Sequence, residues 1–327
     1  LRLNIQGPLN LEAVWTNAAS GASFSSPISN PPTATSTSGT ALVSISGHAW
    51  PSGTKVKLQI RPVTGSTISN LVGIVNSSEQ VDIISANTRM FEVVSLGNFP
   101  GFTTISKAFM GTEAQLRISA QLPQTVTDLS YTFANLAGDS GGFNGDLSGW
   151  DTRNVTRMAG TFFRNTEFNK PIGNWNVSNV TTMFQMFQQA SKFNQDLTNW
   201  DVSKVFTMNS MFYIARAFNN GDSTTSTSSD GVKPLTWNTA SLSEIAAMFR
   251  GAWAFNQNLD SFNVSSVSSL MEVFFDARSF NNGDAATDFE GDGVSNVKML
   301  WRTSEARDLV SMFEGARSFN QDLNSWD

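Results

Sequence analysis

The sequence predicts an α/β solenoid of roughly 25-residue helix-plus-short-strand units, preceded by a small β-rich N-terminal unit. Two observations carry that prediction. A Phe-Asn pair recurs at Phe143, Phe168, Phe193, Phe218, Phe255, Phe280 and Phe319, at steps of 25, 25, 25, 37, 25 and 39 residues. An aromatic residue follows seven positions after the Phe at Trp150, Trp175, Trp200, Phe262 and Trp326. In two units the aromatic arrives late, at Trp237 and Trp301, so insertions of 12 and 14 residues fall in one slot. A slot that accepts length twice is a surface loop.

The rest of each unit keeps the same register. Five residues beyond the aromatic stands Val155, Val180, Val205, Leu242, Val267 or Ala306, and seven further on Phe162, Phe187, Phe212, Phe249, Phe274 or Phe313. Between those two marks the spacing predicts a helix. Val180, Met183, Met186, Phe187 and Ala190 fall at steps of three and four, as do Val205, Met208, Met211, Phe212 and Ala215. Ser178-Asn179 and Ser241 stand where an N-cap belongs, and Glu244 completes a capping box with Ser241. The other half, FNQDLTNWDVS, is rich in Asn and Asp and reads as a tight turn plus a short strand. A unit this small cannot bury its apolar side alone, so units stack and the Phe, Trp and Met residues form internal ladders. The Asn after each Phe is expected to bond backbone groups of the turn.

Ahead of the repeats, residues 1–40 pass from Leu9, Leu11, Val14 and Trp15 into a Ser/Thr/Pro/Ala-rich run, read as a polar arm or linker. Residues 41–90 alternate in strand fashion and read as a small antiparallel β unit. Its candidate strands are Ala41–Ser46, Lys55–Ile60 and Val81–Ile84, with Phe91–Val94 as a fourth and Pro51-Ser52-Gly53 as a turn. The single histidine, His48, lies near that turn with no acid or second histidine beside it and reads as structural. Residues 91–327 form the repeat array, whose last unit stops at Trp326-Asp327. Without an initiator Met or a signal-peptide pattern at Leu1, the chain reads as a fragment.

Composition excludes several function classes. The net charge of -6 and the lack of any basic run argue against nucleic acid. With no Cys and one His, nucleophilic triads of the Ser-His-Asp or Cys-His kind are nearly excluded. No Gly-rich phosphate loop stands between a strand and a helix. No apolar run reaches the roughly 18 residues of a membrane span.

The unit FN-x-D-L-x-x-W-D-x-S-x-V-x-x-M-x-x-M-F-x-x-A resembles the BspA-like leucine-rich repeat family of surface proteins, also called DUF285. The match is close over Phe168–Phe187 and Phe193–Phe212, and Val94–Asn98 with Ile105–Phe109 resembles the family's capping unit. Departures are Lys170-Pro171 for Gln-Asp, Phe262 for Trp, and residues 302–306 for Asp-x-Ser-x-Val. The resemblance implies a leucine-rich-repeat-like right-handed solenoid on a cell surface, adhering to proteins, glycans or other cells. Phage and large-virus proteins carry such repeats too, so it also implies a virion surface role. It carries no catalytic residues.

One ion site is worth naming. In the second insertion, Asp284, Asp288, Glu290 and Asp292 are oxygen donors of the kind that hold Ca²⁺. As an EF-hand the segment fails, because the twelfth position is Met299 where a bidentate Glu is required. The alternative is a solvated acidic loop. Sequons at Asn76, Asn154, Asn176, Asn179 and Asn263 are, apart from the first, by-products of the repeat. Three readings remain. The leading one is a non-catalytic extracellular module that recognises a protein or glycan through its repeats or insertions. The second is a structural part of an assembly or virion that docks or self-associates through its N-terminal arm. The third is a glycan hydrolase, which would need a pocket with two close carboxylates.

Overall fold

The computed structural model describes residues 103–111, 115–118, 121–136, 142–222, 235–283 and 299–326, together with the backbone of seven strands between 2 and 93. The early strands are β1 (Arg2–Ile5), β2 (Leu11–Asn17), β3 (Ser23–Ile28), β4 (Gly39–Leu42), β5 (Val56–Pro62), β6 (Leu71–Val75) and β7 (Met90–Val93). An eighth, β8 (Gln115–Ile118), lies among the first repeats. Three of them fall inside residues 1–40, the stretch read as a polar arm. One sheet has the order β4-β1-β6 and the other β3-β2-β5-β7-β8. Contrary to the expected hairpin, β4 and β5 belong to different sheets. The second sheet is mixed: β2 is antiparallel to β3 and β5, while β7 runs parallel to β5 and β8. The expected strand at Val81–Ile84 and His48 lie outside the described residues. Leu116 of β8 is buried in the core of the repeats, which ties this sheet to them.

The repeats stack, but the predicted α/β architecture is wrong. No helix occurs among the described residues, and no strand belongs to the recurring unit. The segment read as a helix is a run of linked turns. The N–H groups of Met183, Gln185, Phe187 and Gln189 donate to carbonyls of the next unit, on Thr207, Asn209, Met211 and Tyr213. Between them, Met186, Gln188 and Ala190 donate three residues back within their own unit. Gln185 and Gln189 stand at φ 56° and 59°, and Ser210 and Ile214 one unit on at 56° and 55°. An α-helix requires negative φ throughout and bonds four residues back. A left-handed residue at every fourth position forbids it.

The apolar spacing misleads because both geometries bring Val180, Met183, Met186, Phe187 and Ala190 to the inside. Left-handed L-residues cost roughly 1–2 kcal/mol each. The bonds to the neighbouring unit hold them there. Gly160, Gly251 and Gly315 fill the same slots in other units, where that cost disappears. The strand expected in FNQDLTNWDVS is absent as well: this half is a run of turns. Regular pairing between units is limited to single parallel bridges, such as Arg157 with Thr182 and Thr182 with Thr207, inside the turn segment itself.

The expected caps serve the stack instead. The Asn179 amide donates to the carbonyl of Arg153 at 2.9 Å, and the Ser241 hydroxyl to that of Ser203 at 2.6 Å, each one unit back. Ser178 folds onto its own turn, its N–H and hydroxyl both donating to Asn176 Oδ1.

Aromatic ladders fill the core. One runs Phe109, Phe133, Phe162, Phe187, Phe212, Phe249, Phe274 and Phe313, with near-parallel rings 5.5–5.8 Å apart. A second joins the Phe of every Phe-Asn pair from Phe143 to Phe319 at 5.8–6.0 Å. Within a unit the two ladders press together, as at Phe212 and Phe218, 3.7 Å apart. Burying each such ring contributes roughly 1.5–3 kcal/mol.

Two polar ladders accompany them. The Asn of each Phe-Asn pair accepts, through Oδ1, the backbone N–H of the next unit's Asn. These bonds link Asn144, Asn169, Asn194, Asn219, Asn256, Asn281 and Asn320 without a break at 2.7–2.9 Å. The bond expected within the turn thus crosses to the neighbour. Five indoles at the recurring aromatic position in turn donate to a carbonyl one unit back: Trp175 to Leu147, Trp200 to Ile172, Trp237 to Leu197, Trp301 to Leu259 and Trp326 to Met299. Phe262 has no N–H to offer, and there the Ser261 hydroxyl takes the Leu235 carbonyl at 3.0 Å.

Asn165 breaks the pattern. It occupies the position of Ala190, Ala215, Ala252 and Ala277, all fully buried, and neither atom of its amide has a hydrogen-bond partner. Leaving a polar group unpaired in the interior costs about 1–3 kcal/mol. Asn165→Ala is therefore expected to stabilise the protein by about that amount, read as a higher Tm. An unchanged or lower Tm would show that the amide is satisfied in solution.

Candidate functional site: an arginine–aromatic face

The linked turns carry the chemistry that varies. Two offsets within them project side chains outward from consecutive units and so form columns along the stack. The column two residues before each Phe-Asn reads Thr166, Ser191, Arg216, Trp253, Arg278 and Arg317. Its backbone is locked from unit to unit, because the carbonyls of Ser191, Arg216, Trp253 and Arg278 accept N–H groups of Ala217, Ala254, Ser279 and Ser318. A neighbouring column reads Phe163, Gln188, Tyr213, Arg250 and Phe275.

In these columns guanidinium groups and rings alternate. Trp253 is sandwiched, with the Arg216 guanidinium 4.1 Å from its ring centre on one side and that of Arg278 at 4.0 Å on the other. Its indole donates to Asp276 Oδ2 at 2.8 Å. Arg278 grips the same carboxylate through Nε and Nη2 at 2.9 and 3.2 Å. These bonds, the Arg278 one foremost, hold Asp276 below the usual carboxylate range although burial opposes them. Alongside, Arg250 lies 4.3 Å from the Phe275 ring and 5.5 Å from that of Tyr213, and is ion-paired with Glu272. Toward the N-terminal end Arg164 lies over Phe163 at 5.2 Å, and Tyr131 meets Phe163 edge-on. The Tyr131 hydroxyl donates to Gln185 Oε1 at 3.1 Å, and burial pushes its pKa above the ordinary phenol value.

The result is a preorganised surface. A guanidinium stacked on a ring loses little further freedom when it meets a partner. Arg and aromatic residues are also the types that concentrate at the energetic centres of interfaces.

The two insertions leave from a separate edge. Both begin with Phe-Asn-Asn-Gly, at Phe218 and Phe280, and the second Asn turns left-handed at φ 53° and 51°. Asn220 Oδ1 accepts the N–H of Leu197 at 2.8 Å, and Asn282 Oδ1 that of Leu259 at 2.9 Å. Each insertion is thus pinned at its root to the preceding unit. Residues 223–234 and 284–298 lie outside the described residues, and with them the Ca²⁺ candidates Asp284, Asp288, Glu290 and Asp292. Among the described residues no group of three or more His, Asp or Glu side chains converges on a point that would hold a metal.

Sequence reasoning passed over the Arg–aromatic face. The signal was available: reading down one offset, two before each Phe-Asn, gives Arg, Trp, Arg and Arg in the last four units.

A family model described as "Mycoplasma protein of unknown function, DUF285" matches residues 103–225 and 223–327. No curated protein and no solved structure matches the chain.

Proposed function

From the premise that the chain belongs to the DUF285 family, whose description assigns no activity, we propose that it is a non-catalytic, BspA-like surface module. Outside the cell, it recognises a protein or glycan partner. The observation that supports this reading most is the face of stacked Arg and aromatic side chains, set on a backbone fixed by bonds between units. A rigid array with an extended, variable face is suited to binding and gains nothing for chemistry. The two insertions, rooted two units apart on one edge, offer the second surface.

The test separates the two surfaces. The full chain, a variant lacking residues 222–232 and 284–293, and Arg216→Ala with Trp253→Ala are each screened against host-matrix proteins, cell surfaces and a glycan array. The face is expected to carry binding, so the deletion variant keeps it and the double substitution loses it, with both variants folded. Binding lost only on deletion would move recognition to the insertions. No binding by the unaltered chain to any of these surfaces would overturn the reading.

A further inference from the structure

We propose that the Arg–aromatic face docks an acidic polypeptide segment, with Arg216 and Arg317 receiving its carboxylates. This inference rests on the recognition reading and names the partner of that face. The chain is net acidic at -6, yet this face gathers Arg164, Lys192, Arg216, Arg250, Arg278 and Arg317. Most of the acids beside them are already taken: Glu167 by Lys192 at 2.7 Å, Glu272 by Arg250, and Asp276 by Arg278 at 2.9 Å. Glu314 receives the Ser311 hydroxyl. Arg216 and Arg317 are exposed and form no direct ion pair among the described residues, although the charge of Arg317 is felt by Asp276. The Arg216 guanidinium is further positioned over the Trp253 ring, 4.1 Å from its centre.

Ring occupancy then chooses between partner classes. Sugars stack on open aromatic faces, and here guanidinium groups occupy both faces of Trp253 and one face each of Phe275 and Tyr213. What the surface presents is guanidinium donors and ring edges, which suit carboxylates and side chains of a protein. Spacing adds a dimension. Arg216 and Arg317 lie three units apart, at steps of 5.8, 5.9 and 5.8 Å along the adjoining Phe ladder. About five residues of extended chain cover that distance. Because side chains alternate along a strand, a segment lying along the stack would therefore bring acidic side chains about four or six residues apart, on one face, over Arg216 and Arg317.

The experiment uses the full chain and three fluorescent probes. One is an extended ten-residue peptide with two glutamates six positions apart, on one face of the strand, the second its Gln-for-Glu twin, and the third an oligogalacturonate of equal or greater charge. The Glu peptide is expected to bind, with affinity that falls as salt rises, and the Gln twin to bind far more weakly. Arg216→Ala and Arg317→Ala should each weaken the Glu peptide by about fivefold. Arg153→Ala, on a different edge, should leave binding unchanged. Equal binding of the Glu and Gln peptides, no binding of either, unaltered affinity in both variants, or oligogalacturonate binding as tightly as the Glu peptide would overturn the proposal. A chain that binds partners in the surface screen yet ignores the Glu peptide refutes this inference alone. One that binds nothing in that screen refutes the recognition reading beneath it.

Discussion

Phe212→Ala is expected to cost about 3–5 kcal/mol, more than any other single truncation in the stack. The ring is fully buried at mid-array, 5.5 Å from Phe187, 5.6 Å from Phe249 and 3.7 Å from Phe218. Removing it opens a cavity between three units that cannot close, because backbone bonds between units fix their separation. The same change at Phe313, which is only partly buried, should cost much less. Urea denaturation of both variants reads the difference. Equal losses would mean that the ladder does not act as a shared core.

Asn219→Ala is expected to be the most damaging polar substitution, at about 1–3 kcal/mol. Asn219 Oδ1 accepts the Asn256 N–H at 2.9 Å and the Gln257 amide at 2.9 Å, while its own N–H reaches back to Asn194 Oδ1 at 2.8 Å. Truncation removes the acceptor of the partly buried Asn256 N–H and one acceptor of the buried Gln257 amide. Asn219→Asp keeps the acceptor oxygen and should retain most of the stability at neutral pH. If Ala and Asp prove alike, the ladder bond contributes nothing and the site is merely a matter of volume.

The same two residues show how far the sequence could be read. Phe212 and Asn219 sit on marks that recur in every unit, and anything that recurs is legible: the period, the aromatic ladders, the Asn column, the insertion slots. Secondary structure was not, since Val205, Met208, Met211, Phe212 and Ala215 turn inward in a helix and in the linked turns alike. What separates the two is the sign of φ at Ser210 and Ile214, and neither residue type announces it. Gly160, Gly251 and Gly315 in equivalent slots were the available hint, because a helix has no use for a glycine there. The candidate face stayed hidden for the opposite reason. Arg216, Trp253 and Arg278 stand where the residue type changes from unit to unit, so a search for repetition passes over them.

The protein is a stack built from turns, with the apolar segment of each unit bonded alternately to its neighbour and three residues back within itself, as no α-helix is. Far-UV circular dichroism of the intact chain tests this most directly. The structure predicts a spectrum without the double minimum of α-helix, and a near-UV signal from stacked Phe and Trp that vanishes together with the fold. A strong helical double minimum, of the size six three-turn helices would give, would contradict it.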